Sequence, residues 1–240
     1  MIKVSDTKGR GYANNCRDLG GIEVMDKGVK KSIKYGYMFR GTNMDKTTQA
    51  VEWPILLDFM KVGVDIDLRN GESSNSGSGN DGNSTRWRPL PQSIDYTAPG
   101  FMDSHNFPDL TTPSKVYDVV MAFFNAVKSD KAVYFHCYSG ADRTGYIAML
   151  IEGLLGVSEK DCSIDYELTS FSVVGSRYRI GYVQGQSEDY DFRDGIAFLR
   201  SQTGNTFQEK IENYLVTPVS EGGVGISLSD INEFKRLVLE

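Results

Sequence analysis

One stretch concentrates the groups that could do chemistry: His136-Cys137-Tyr138-Ser139-Gly140-Ala141-Asp142-Arg143-Thr144-Gly145, set between a run of strand formers and a run of apolar helix formers. A short loop joining a strand end to a helix start turns several backbone N–H groups toward one point, and the helix dipole adds partial positive charge there. Such a point binds anions. Cys137 opens the loop, so the same field favours its thiolate and is expected to bring its pKa from about 8.5 into the range of roughly 3.5–7.5 shown by activated cysteines. Arg143 closes the loop with a planar fork able to hold two phosphoryl oxygens and follow them into the transition state, which lysine does less well. Thr144 can donate its hydroxyl to the sulfur, and Gly140 permits close backbone approach in the bend. The candidate phosphate-binding residues are therefore Tyr138, Ser139, Gly140, Ala141, Asp142 and Arg143, with Cys137 as nucleophile.

The elements that must position this loop are legible on either side of it. Val62-Gly63-Val64-Asp65-Ile66-Asp67-Leu68 and Lys131-Ala132-Val133-Tyr134-Phe135-His136 mix β-branched and aromatic residues with alternating polarity, as strands of a central sheet do. Between them Val116, Val119, Val120, Phe123, Phe124 and Val127 fall on one face of a helix entered through Pro113-Ser114. The next helix, from about Arg143 to Leu155, is apolar on nearly every side, and Gly156 is placed to end it. Further helices are expected with Ser158, Thr206 and Ser229 as caps, Thr206 with Glu209 forming a capping box. Strand, helix, strand and helix in this order predict an α/β fold, a mostly parallel central sheet flanked by helices, with a helical C-terminal half.

The 240 residues, 40% apolar and 11% aromatic, suffice for one sizeable core, and residues 1–240 are read as a single domain. Residues 71–85, rich in Gly, Ser and Asn, form a surface excursion, and 165–200 could hold a helical insertion. With 32 acidic against 26 basic side chains the net charge is -6, which argues against a nucleic-acid partner. No apolar run approaches a membrane span, and Met1-Ile2-Lys3-Val4-Ser5-Asp6 lacks the apolar core of a signal peptide, so the chain reads as soluble. Its compartment stays open between the cytoplasm and export after removal of a signal, as does its oligomeric state. Cys16, Cys137 and Cys162 are too few and too scattered for a disulfide framework or a zinc site.

His-Cys-x5-Arg-Thr is the signature of the protein tyrosine phosphatase superfamily, and Gly140-Ala141-Asp142-Arg143-Thr144-Gly145 resembles the loop of the bacterial atypical tyrosine and dual-specificity phosphatases. Asn15-Cys16-Arg17-Asp18-Leu19-Gly20-Gly21, Asp67-Leu68-Arg69 and Asp165-Tyr166-Glu167-Leu168-Thr169 carry the same resemblance, which extends over about residues 12–240. The resemblance implies a phosphomonoesterase without metal or other cofactor, acting on a phosphorylated protein or small phosphate ester through a phosphocysteine. It places the general acid on Asp142. Asp109, in Phe107-Pro108-Asp109, occupies the region where most tyrosine phosphatases carry their acid, and Asp67 stands third because α/β sites gather at the carboxyl edge of strands.

His136 is expected to orient the loop and tune Cys137 rather than act as a base. Arg17 and Asp18 either brace a turn at Gly20-Gly21 or face phosphate, and Arg69 pairs with a structural carboxylate. Cys16 is a candidate to resolve an oxidised Cys137 as a disulfide. Phosphotyrosine, with possible dual specificity, is the first substrate class. Lipid-active relatives often carry lysines in the loop, where this chain has Ala141 and Asp142. Phosphatase activity on inositol phosphates or phosphoinositides is the alternative, and a catalytically idle phosphate-recognition module the third reading. Arg86, Arg88, Arg177 and Arg179 could supply basic contacts from outside the loop.

Overall fold

The computed structural model describes residues 15–44, 52–69, 93–99, 110–172, 177 and 192–240. The excursion at 71–85, Asp109, Arg86, Arg88 and Arg179 lie outside them, as does most of 165–200 between residue 172 and the helix that begins at Phe192.

A five-stranded sheet is built from β1 (Arg17–Asp18), β4 (Met38–Gly41), β5 (Val62–Asp67), β6 (Asp95–Thr97) and β7 (Ala132–His136) in the order β1-β4-β7-β5-β6, while β2 (Glu23–Asp26) and β3 (Val29–Ser32) form a separate hairpin. β4, β7, β5 and β6 run parallel and only β1 is antiparallel to its neighbour. β7 is central and every one of its residues is buried, as a strand covered on both faces requires. Its register sets Gly41, His136 and Asp67 side by side at the carboxyl edge, where the connection to the next helix begins.

Helices cover both faces: a short turn α1 (Glu52–Pro54), then α2 (Pro113–Lys128), α3 (Asp142–Leu155), α4 (Glu159–Leu168), α5 (Phe192–Arg200), α6 (Phe207–Val216) and α7 (Leu228–Val238). The apolar face of α2 is buried along its length, with Phe123 edge-on to Phe135 of β7 at 4.9 Å and Phe124 stacked on Phe234 of α7 at 4.4 Å. α3 is buried from Arg143 to Leu155, which is why its sequence shows no polar face. Gly156 ends it with φ +98, a conformation other residues adopt at a cost. Ser158 and Thr206 cap α4 and α6 as expected, the latter in a full capping box. The last helix departs from the expectation by two residues: Ser227, not Ser229, accepts the Asp230 N–H at 3.0 Å, and its hydroxyl donates to the Asp230 carboxylate at 2.6 Å in return. Among the described residues no helix is long and apolar enough to cross a membrane.

Candidate active site

The segment from Cys137 to Ala141 joins β7 to α3, and its carbonyl oxygens are engaged one after another by groups behind it. His136 Nδ1 lies 2.9 Å from Cys137 O, and the Asn43 side chain donates to Tyr138 O at 2.9 Å. Asn15 Nδ2 donates to Gly140 O at 2.9 Å and lies 3.5 Å from Ser139 O. Arg40 Nη2 donates to Gly140 O at 2.9 Å and Ala141 O at 3.3 Å. Each peptide unit is planar and trans, so a carbonyl turned backward sends the following N–H forward. The N–H groups of residues 138–142 therefore face the side opposite this buttress, at the positive end of the α3 dipole. Gly140, with φ +65, makes the bend possible, and a Cβ there would run into the Gly41 carbonyl.

Cys137 is buried at the start of this cradle. Burial opposes its ionisation, but the Arg143 guanidinium, the Thr144 hydroxyl and the Thr144 backbone N–H outweigh it and hold the thiol below its ordinary range, with Asp142 pulling the other way. The Thr144 hydroxyl is wholly enclosed and makes no conventional hydrogen bond, leaving the Cys137 sulfur as the group it serves. An acidified cysteine, a row of forward N–H groups and an arginine on the first turn of the helix meet in one place, an arrangement able to hold an anion against a thiolate.

The model of the tyrosine phosphatase family matches residues 11–217. The chain belongs to that family. It is 31% identical over 128 residues to a tyrosine-protein phosphatase of Nostoc commune, a match that covers 46% of this chain and only 40% of that protein's length. Among solved structures it is similar to P. aeruginosa TpbA (TM-score 0.42, 14% identity, 76% of this chain and 90% of that one). It is also similar to PTPMT1 in complex with PI(5)P (TM-score 0.38, 13% identity, 60% and 84%).

The aspartates that the sequence offers as acids are placed very differently. Asp142 begins α3 next to Arg143. Its carboxylate is gripped by Arg177, Nε to Oδ1 at 2.7 Å and Nη2 to Oδ2 at 3.0 Å, and Tyr166 OH donates to Oδ1 at 3.2 Å. Asp67 is enclosed. Arg69 holds it with two side-chain nitrogens and its backbone N–H, and Tyr96 OH donates to Oδ2 at 2.8 Å. Burial alone would raise its pKa, but His136 and the Arg69 bonds bring it down to about 2. Asp67 is thus held as an enclosed anion by Arg69, Tyr96 and His136, an environment that favours its ionised form.

The supporting residues divide likewise. Asp18 braces the turn, accepting from Gly20 N and Gly36 N at 2.8 Å each, and Arg17 holds Asp165 rather than facing phosphate. Burial pushes the Cys16 thiol up to about 12, with Arg17 countering it in part.

His136 lies between two buried carboxylates, Nε2 3.0 Å from Asp65 Oδ1 and Nδ1 3.9 Å from Asp67 Oδ1. Burial would lower its pKa, but Asp65 and Asp67 raise it from 6.5 to about 9. Stability therefore depends on pH in both directions. Asp67, lowered from 3.8, contributes in full above about 4 and loses its contribution as pH falls through about 2. His136, raised, contributes in full below about 6.5 and loses it as pH rises through about 9. Thermal melts are expected to show a plateau between those limits, and His136→Gln to remove the alkaline fall; an alkaline fall that persists in the variant would assign it to another group.

Several participants carry no motif of their own in the sequence. Arg40, a single arginine within apolar Met38-Phe39-Arg40-Gly41, is fully buried under the loop. Asp65, one of two aspartates in a mostly enclosed strand, is marked only by its charge. A charged residue alone in an apolar run was the one available signal, because such a residue is enclosed only with a partner.

Proposed function

We propose that the chain is a cysteine-dependent phosphomonoesterase acting on phosphotyrosine. The observation that supports this reading is the coincidence of the acidified Cys137 thiol with a loop whose carbonyls are turned away from it. The Cys137 thiolate attacks phosphorus as the ester P–O bond breaks, and the leaving phenoxide takes a proton from Asp142. Arg143 and the loop N–H groups hold the equatorial oxygens where charge accumulates. Water then attacks the phosphocysteine, its proton passing to the Asp142 carboxylate, and the sulfur leaves as a thiolate supported by Thr144.

The grip of Arg177 on Asp142 places the carboxyl beside the loop and must loosen while that carboxyl carries a proton. Asp142→Asn is expected to lower kcat by about 10²- to 10⁴-fold on aryl and alkyl phosphates and to flatten the basic limb of the pH–rate profile. A retained basic limb would transfer the acid role to another group, Asp109 first.

Substrate choice is tested by steady-state hydrolysis, in chelator, of phosphotyrosine, phosphoserine and phosphothreonine peptides, inositol hexakisphosphate and phosphoinositide vesicles. Phosphotyrosine peptide is expected to give the highest kcat/KM. Higher kcat/KM on an inositol phosphate or phosphoinositide would replace the substrate assignment, and no turnover with intact phosphate binding would make the chain a recognition module.

A further inference from the structure

Four ionisable side chains from four elements meet behind the loop: Arg17 of β1, Arg40 of β4, Glu152 of α3 and Asp165 of α4. Arg40 Nη1 is paired with Asp165 Oδ2, and Arg17 Nε with Asp165 Oδ1 at 2.5 Å, so two guanidinium groups share one carboxylate. Arg17 also donates to Asp165 O at 2.7 Å and to Asn15 Oδ1 at 2.7 Å, and Asn15 in turn holds Gly140 O. Burial and Arg17 pull Arg40 down from its ordinary value while Asp165 raises it, and a guanidinium has reserve enough to stay protonated.

Glu152 decides the charge of the cluster. It is wholly buried, and neither its carboxyl oxygens nor Arg40 Nε makes a conventional hydrogen bond, the Cys162 thiol being the one polar group its carboxyl meets among the described residues. An ionised carboxylate enclosed beside an unpartnered guanidinium N–H would close on it, because the alternative is a bare charge in a medium of low dielectric. The groups that face Glu152 are Asp165 and Cys162 from α4, Arg40 from β4 and Arg17 from β1. Burial and Asp165 push its carboxyl well above the usual range against the two arginines, which favours the neutral form. With Glu152 in that form, Arg17, Arg40 and Asp165 amount to two positive charges and one negative, among the described residues.

We propose that Arg40 is a positioning residue for phosphate, holding the Gly140 and Ala141 carbonyls backward and leaving beneath the loop one unbalanced positive charge whose counter-ions are the bound phosphate and the Cys137 thiolate. The inference rests on the reading that this loop binds phosphate. It adds a second layer of cation to the one Arg143 supplies by contact, transmitted through two peptide dipoles that Arg40 both orients and polarises.

The test uses inorganic phosphate, titrated calorimetrically into the full chain, and the pH dependence of Cys137 alkylation by iodoacetate, with Arg40→Lys, Arg40→Met and Glu152→Gln. Around the sulfur itself the groups are Arg143, Thr144 and Asp142, which all variants keep. Arg40→Met is expected to weaken phosphate by about tenfold or more and to move the alkylation midpoint up by about one pH unit. Arg40→Lys is expected to weaken phosphate similarly, since an ammonium cannot span both carbonyls and Asp165, while keeping the midpoint near that of the parent because the charge remains.

Glu152→Gln is expected to leave both within about twofold. Tighter phosphate binding in Glu152→Gln would show that Glu152 carries charge and would overturn the count. Unchanged phosphate binding in Arg40→Lys, or an unchanged midpoint in a folded Arg40→Met, would overturn the role of Arg40. Should Arg40→Met fail to fold, Arg40→Lys and Glu152→Gln still decide the two halves of the proposal. Absence of phosphate binding by the parent would instead defeat the phosphatase reading on which it stands.

Discussion

Cys137→Ser is expected to abolish turnover, with kcat lower by on the order of 10⁴-fold or more on every phosphate ester the parent hydrolyses. Oxygen for sulfur is nearly isosteric, so the cradle and its phosphate affinity should survive. What disappears is a nucleophile that ionises near neutral pH. The loop lowers the Cys137 thiol through Arg143 and Thr144 against the cost of burial. The same field acting on a serine hydroxyl starts from a pKa so high that no comparable shift yields an alkoxide, and His136 is not placed to remove its proton, since it points its Nδ1 at the Cys137 carbonyl and its Nε2 at Asp65. Steady-state hydrolysis measured alongside calorimetric phosphate binding checks both halves. Residual turnover above about 1% of the parent, in protein free of wild-type contamination, would sink the phosphocysteine route.

Arg143→Lys should cost nearly as much despite keeping the charge, with kcat lower by roughly 10²- to 10³-fold and KM changed far less. Arg143 is buried on the first turn of α3, immediately after the loop, and Thr144 and Gly145 behind it are packed too tightly to let the backbone follow a shorter side chain. A guanidinium offers two parallel N–H bonds in the plane of two phosphoryl oxygens, and those oxygens gather charge and flatten into that plane only in the transition state. An ammonium meets one of them as a point charge. The loss should therefore fall on the chemical step rather than on ground-state binding, and burst or single-turnover kinetics would show it there. A Lys variant with a normal kcat and a raised KM would mean that Arg143 binds substrate without following the reaction.

The sequence determined the loop, the strand before it and the helix behind it, because all three are local. Cys137, Gly140, Arg143 and Thr144 sit within eight residues of one another, and the apolar periods of 116–127 and 143–155 state which faces are buried without reference to anything distant. The caps at Ser158 and Thr206 were equally legible, since a cap and its N3 partner are three residues apart.

Only the tertiary structure decided the surroundings of that loop. Asp67 and Asp142 look alike as aspartates near strand and helix ends, yet one is sealed by Arg69 and Tyr96 and the other is held at the cradle by Arg177 and Tyr166. Arg40 meets the loop carbonyls a hundred residues away along the chain because β4 lies beside β7 in the sheet. Asp165 reaches both arginines because α4 packs on α3. Hydrogen bonds and ion pairs between remote residues leave no periodicity in a sequence. Each requires only that two polar groups share an enclosed space, and which pairs share it is fixed by the order of the strands and the packing of the helices on them.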